Sequence, residues 1–224
     1  MTKLIPVLFD LDGVIVDNVA FENAVTRTII QQLAVDRNLP MLDAERLWKR
    51  TLEAHRRHAR WHDYSYHCQA LNLGNSWREA HTSCGHLLKR CLGADDAIAA
   101  AREIGPLWLV SDATHWVAAF KLALVQIDQD VFSEIFTVDR CSTNKGQVQY
   151  WQCVKEVMSR GPYATPIYID NRKDRLCVAH EVFSEMNGIC VDADDHPVSL
   201  GFGDQDSQAI FVHSTHESLH PPVA

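Results

Sequence analysis

The stretch that most constrains this chain is the apolar run Leu4-Ile5-Pro6-Val7-Leu8 and the Phe9-Asp10-Leu11-Asp12-Gly13-Val14 that follows it. The pattern predicts a buried strand from Pro6 to Asp10, with proline at its first position, where a missing N–H is tolerated. Side chains alternate along a strand, so Asp10 and Asp12 point one way while Leu11 turns back to the core. Gly13 permits a sharp turn immediately afterwards. Two carboxylates therefore stand at the carboxyl end of a strand, where open α/β sheets build their sites. Like charges that close need a cation, or a proton on one of them, to coexist. Mg²⁺ is a natural hard partner for oxygen ligands of this kind. In isolation Asp-x-Asp-Gly is equally an acidic turn, and the rest of the chain has to decide.

After Val16 the character changes. Residues up to about Arg90 are rich in Ala, Leu, Gln, Arg, His and Trp, with Pro40 and Gly74 as breakers. Phe21, Val25, Ile29 and Leu33 recur at a spacing of four, which predicts a helix from Phe21 to about Asp36. A second helix is expected from Met41 to about His62, started at Asp43 or just before it, and a third from Trp77 to Cys91. No strand is expected between Val16 and Arg90, so the segment reads as an all-helical insertion. Beyond Gly93 helices and strands alternate: helix 95–103, strand 107–110, helix 114–125, strand 135–138, helix 146–159, strand 166–169, helix 174–186, strand 189–191. Such alternation predicts a parallel sheet with right-handed crossovers. The polar tail from Gly201, with its apolar Ile210-Phe211-Val212, has no assigned place.

Composition bounds the function. The 224 residues suffice for one domain with a sizeable insertion, and the net charge of −8 argues against a broad basic nucleic-acid face. No run approaches the roughly 20 apolar residues a membrane-spanning helix needs. Met1-Thr2-Lys3 leads straight into the first core strand, and no N-terminal signal is expected. The seven cysteines are odd in number and form no Cys-x-x-Cys pair, as expected of free thiols in a reducing cytoplasm.

Three further polar groups follow strands or precede helices. Ser111 and Asp112 end Leu107-Trp108-Leu109-Val110, and a hydroxyl at the start of the next helix suits a phosphate oxygen. Lys145 lies in the turn Cys141-Ser142-Thr143-Asn144-Lys145-Gly146, ahead of another helix. Asp170-Asn171-Arg172-Lys173-Asp174 closes a strand. Together with the Asp10 stretch these resemble the four motifs of the haloacid dehalogenase superfamily, in that family's order, over Leu4 to about Ala193. The helical insertion resembles its type-one cap. The resemblance implies a Rossmann-like α/β core (1–16 and 91–200), a helical cap (17–90) and a C-terminal tail (201–224).

It also implies roles. Asp10 would be the nucleophile, Asp12 general acid and then general base, and Lys145 the group that neutralises charge on Asp10 and the phosphoryl group. Ser111 and Asp112 would form the substrate-binding pair, with Lys145 beside them. Mg²⁺ would rest on Asp10, the Asp12 carbonyl and Asp170, ordered from one step out by Asn171 and Asp174. The expected activity is hydrolysis of a small phosphorylated metabolite, by a cytoplasmic monomer or homodimer that binds neither nucleic acid nor membrane. A phosphosugar mutase and a non-catalytic binding protein are the alternatives. Asp12 argues against dehalogenase and phosphonate-cleaving relatives.

Three residues depart from the motifs: Asp112, an extra negative charge unless it turns away as a helix cap; Asn171, where a second Asp is common; and Gly146, where Pro is frequent. In the insertion, Arg46, Lys49, Arg50, Arg56, Arg57 and Arg60 read either as a solvated face or as a basic rim for an anionic substrate. His58 and His62 have zinc-ligand spacing but lack further ligands. Trp61, Tyr64 and Tyr66 face either the cleft or the cap hinge.

Overall fold

The computed structural model describes residues 3–191. The chain runs β1 (Val7–Asp10), β2 (Val16–Asp17), α1 (Val19–Asp36), α2 (Met41–His55), α3 (Tyr64–Ala70), α4 (Ser76–Cys84), β3 (Lys89–Arg90), α5 (Ala94–Arg102) and β4 (Leu107–Val110). It continues through α6 (His115–Leu124), β5 (Glu134–Phe136), α7 (Val138–Cys141), α8 (Val148–Ser159), β6 (Ile167–Asp170), α9 (Lys173–Val182) and β7 (Asn187–Cys190). Five strands form one parallel sheet in the order β5-β4-β1-β6-β7. The fold is α/β, with helices α1 to α4 inserted between β2 and β3.

Alternation along the strands divides the core in two. Val7 and Phe9 of β1, with Leu107, Leu109, Ile167 and Ile169, join one apolar cluster that continues through Trp48 and Trp77 of the insertion. Leu8, Trp108, Val110 and Tyr168 face the other way, onto Tyr150, Trp151 and Val154 of α8. A sheet covered on both faces needs near-continuous apolar strands, and β1 and β4 are buried along their whole length. Within the insertion, Phe21, Val25, Ile29 and Leu33 of α1 are fully buried, as their spacing predicts.

The structure corrects several boundaries. Val16–Asp17 and Lys89–Arg90 pair as an antiparallel ribbon at the base of the insertion, where no strand was expected; two residues are too few to show a period. The helix expected from Met41 to His62 ends at His55, and residues 56–62 form turns before α3. Its start follows Pro40, which carries no side-chain cap. The helix expected to reach Cys91 ends at Cys84, where a 3₁₀ turn over Gly85–Leu87 follows. Helix α9, expected to reach residue 186, stops at Val182, and β7 starts at Asn187, two residues before the expected 189. Residues 192–224, including Ile210-Phe211-Val212, lie outside the described residues.

Candidate active site

Strand register gathers the polar residues. Asp10 pairs with Val110 at the end of β4, and Phe9 with Ile169, so Asp10, Ser111-Asp112 and Asp170 emerge along one rim of the sheet. The turn before α8 delivers Lys145 between two of them. Its Nζ lies 2.6 Å from Asp10 Oδ1 and 2.8 Å from Asp170 Oδ2. Asp10 Oδ1 also accepts the Leu11 N–H at 2.7 Å. Asp170 Oδ1 accepts the Arg172 N–H at 2.8 Å, and Oδ2 the Tyr168 hydroxyl. Burial pushes the Asp10 carboxyl well above the usual carboxylate range, the charge of Asp170 pushes it further, and Lys145 opposes both. For Lys145, burial disfavours the charge, but Asp10, Asp170 and Asp112 outweigh it and hold the ammonium. One cation faces two carboxylates in a dry site, and the excess is negative.

Asp112 does not cap the following helix; Thr114 takes that position, its side chain accepting from the Val117 N–H. Asp112 turns inward instead. Its Oδ1 accepts the Lys145 N–H at 2.6 Å, and its Oδ2 lies 2.8 Å from Arg175 of α9. Burial alone would raise its pKa, but Lys145, His62 and Arg175 bring it below the usual value. Gly146 makes the pairing sterically feasible: a Cβ there would lie 1.9 Å from an Arg175 guanidinium nitrogen. Two departures from the expected motifs, Asp112 and Gly146, thus share one cause, a buried arginine that sequence reasoning missed.

That arginine also meets the insertion. Arg175 donates to His62 Nε2 at 3.3 Å, and Asn144 donates to the Ala59 carbonyl at 3.2 Å. His62 Nε2 lies 3.6 Å from Asp112 as well, but burial and the nearby cations lower its pKa to about 4. The imidazole is therefore neutral near pH 7, accepting from Arg175 rather than pairing with Asp112.

The second aspartate has its own partner. Lys121 of α6 places Nζ 2.7 Å from Asp12 Oδ1 and 2.6 Å from Glu22 Oε1 of α1, with its side chain 2% exposed. Glu22 Oε2 accepts the Tyr64 hydroxyl at 2.8 Å, and that hydroxyl lies 3.0 Å from the Thr26 hydroxyl. Burial raises the Asp12 pKa despite Lys121. For Glu22 the bonds from Lys121 and Tyr64 outweigh burial and lower it. The one signal for Lys121 in the sequence is its place on an apolar helix, four residues after buried Val117.

Asp10, Asp12, Asp112, Lys145 and Asn171 all line one cavity of about 390 Å³, and the insertion forms its opposite wall with Trp48, Leu52, Trp61 and Tyr64 among others. Ser111 is fully buried and lies off that wall; its hydroxyl accepts the Ala113 N–H at 3.1 Å, and Ala113 and Thr114 line the cavity in its place. Asp174 is exposed and pairs with Arg172 at 2.7 Å, facing solvent rather than the cluster. His58 stacks on Tyr66. Among the described residues no three His, Cys, Asp or Glu side chains are gathered at metal-ligand spacing. A cation at Asp10 would rest on two carboxylates, supplemented by amide and carbonyl oxygens. That donor set fits a hard dication. Asn171 lies against Gly13, whose Cβ would fall 2.1 Å from its amide nitrogen, and Asn171 Oδ1 is buried without a partner.

No family model and no curated protein sequence matches the chain. Solved structures do. A HAD phosphatase from Thermococcus onnurineus superposes with a TM-score of 0.72 at 16% identity, over 87% of this chain and 90% of its own. YfnB of Bacillus subtilis, described as a HAD-hydrolase and bound to magnesium, gives 0.53 at 16% over 84% and 88%. An L-2-haloacid dehalogenase gives 0.55 at 15% over 84% of both chains. At such identities the likeness is one of fold, and the chain has the fold of haloacid dehalogenase-type hydrolases.

Proposed function

We propose that this chain is a metal-dependent phosphatase in which Asp10 attacks phosphorus. The observation that carries the reading is the Asp10–Lys145 pair, backed by the fully buried Asp170, on a cavity that Asp10, Lys145 and Asp12 line. One Asp10 oxygen is held by Lys145 and the Leu11 N–H, which leaves the other oriented for attack. It forms a bond to phosphorus as the ester P–O bond breaks, giving an aspartyl-phosphate. Asp12 gives its proton to the departing alkoxide, and the alcohol leaves. Asp12, now ionised, takes a proton from the water that attacks the aspartyl-phosphate, and inorganic phosphate and free Asp10 result. Burial raises the Asp12 pKa, the direction that favours the proton the first step needs, and Lys121 opposes the rise. Lys145 offsets the charge that would otherwise repel a phosphate dianion from Asp10. Asp10, Asp170, the Asp12 carbonyl and Asn171 would hold Mg²⁺, which when bound screens the same repulsion and polarises the phosphoryl oxygens.

Structures with this fold include a phosphatase and a dehalogenase. A second carboxylate placed to move a proton supports phosphate chemistry. A phosphosugar mutase would need cationic groups for a second phosphate, and no Lys or Arg of the insertion lines the cavity. The test is release of phosphate from 4-nitrophenyl phosphate. Asp10→Asn is expected to lower kcat at least a thousandfold, and EDTA to abolish turnover until Mg²⁺ is restored. Full activity in either case refutes the mechanism.

A further inference from the structure

Two thiols meet beside the turn that carries Lys145. Cys141 closes α7 and Cys153 lies on α8, and the Cys141 S–H donates to the Cys153 sulfur across 3.2 Å. Both are free and half-buried, within reach of a small solute, whereas Cys68, Cys84 and Cys91 are buried. Packing on the Tyr150–Trp151 cluster accounts for their burial, but it does not require the two sulfurs to meet end to end. A disulfide bond is about 2.0 Å long, so the pair has roughly 1 Å left to close. Lys145 sits inside the loop that such a bond would form. Asp112 accepts its N–H, its carbonyl accepts the Trp151 indole N–H at 2.9 Å, and its ammonium lies between Asp10 and Asp170. The adjoining Asn144 reaches the insertion at Ala59. A turn held from so many sides cannot follow its first residue towards α8 without moving the ammonium.

We propose that Cys141 and Cys153 form a reversible disulfide that slows turnover by shifting Lys145. The slowing rests on the phosphatase reading; the bond itself does not. The oxidant is hydrogen peroxide. The Cys153 sulfur attacks one peroxide oxygen, the O–O bond breaks, and Cys153 sulfenic acid and water result. The Cys141 sulfur then attacks the Cys153 sulfur, the S–OH bond breaks, and the hydroxide leaves with the Cys141 proton as water. The two thiols give up two electrons and two protons, and one peroxide becomes two waters. Burial and the bond to Cys153 push the Cys141 thiol far up, so it keeps its proton and Cys153 reacts first. A low-molecular-weight thiol reverses the change by exchange. Among the described residues no cysteine lines the cavity, so the effect on turnover travels through the turn.

The test treats the full chain with hydrogen peroxide, caps the remaining thiols with iodoacetamide and digests with trypsin, which cuts between Lys145 and Gly146 and so separates the two cysteines. Mass spectrometry is expected to find fragments 141–145 and 146–155 joined by a disulfide. In the same sample kcat for 4-nitrophenyl phosphate should be about tenfold lower with KM little changed, and dithiothreitol should restore it. Cys141→Ser and Cys153→Ser, made singly, should turn over normally when reduced and lose the response, while Cys177→Ser should keep it. No joined fragments, or a response that persists in both serine variants at the pair, overturns the proposal. Joined fragments with an unmoved kcat overturn the control of Lys145. If the reduced protein hydrolyses nothing, the phosphatase reading falls and hydrogen exchange at the Lys145 amide decides: a changed rate on oxidation supports the shift, and an unchanged one overturns it.

Discussion

Lys121 offers the sharpest test of how the insertion and the core work together. Its ammonium is the only cation bonded to both Asp12 and Glu22 among the described residues, at 2.7 and 2.6 Å, and it is buried. Lys121→Met keeps the volume and removes the charge, leaving two carboxylates facing each other. Loss of one partner from a buried ion pair costs about 3–5 kcal/mol. Here the carboxylates keep 29% and 27% side-chain exposure, so some hydration remains and the lower end, about 3 kcal/mol, is expected. Glu22→Gln alone leaves one cation with one carboxylate and should cost only about 1–2 kcal/mol. In the double variant Asp12 no longer faces a second charge. The loss in the double variant should therefore fall short of the sum of the two single losses by about 1–2 kcal/mol, as a double-mutant cycle in urea would show. The pH–rate profile supplies an independent reading. With Lys121 gone, Asp12 loses the group that restrains its pKa, and the alkaline limb of activity should move to higher pH. Stability within about 1 kcal/mol of the parent, together with an unmoved limb, would refute the coupling.

His62 gives a pH signature. Its pKa is about 4 in the folded chain and about 6.5 when unfolded. Protonation thus favours the unfolded chain, and stability is lost as pH falls from about 6.5 towards 4. Between pH 7 and 4.5 this contributes about 2 kcal/mol to the loss, a contribution that His62→Asn should remove in urea unfolding; parallel pH dependence in the two proteins would contradict the assignment. Gly13, at φ +81° with the Asn171 amide 2.1 Å from where a Cβ would sit, should tolerate alanine poorly. Gly13→Ala is expected to cost about 1–3 kcal/mol and to lower kcat by displacing Asn171, checked by unfolding and phosphate release.

What the sequence made legible was local. The strand at Leu107–Val110 shows as a bare apolar run, and the buried face of α1 as a spacing of four. Parallel pairing brings the strand ends that carry Asp10 and Asp170 to one rim, while Lys145, a loop lysine, was legible only through the resemblance of the four motifs. Side chains that act across long separations were not. Lys121 and Asp12 are 109 positions apart, and nothing near either names the other. Arg175 was hidden for a similar reason. Its neighbour Asp174 is the motif residue, yet one step around α9 turns a side chain from solvent to the interior. The Asp112 and Gly146 departures registered separately, although together they mark the space and the charge that Arg175 fills. The ribbon of β2 and β3 is too short for any periodicity to reveal.

That ribbon also has a consequence for how such a chain can change. The path leaves the sheet side at Val16–Asp17 and comes back at Lys89–Arg90, and the two passages are bonded to each other. Topologically, everything between them is a single closed excursion. Its contents can be lengthened, shortened or exchanged without breaking a strand pairing in the sheet, so molecular choice and bond-breaking machinery can diverge at independent rates.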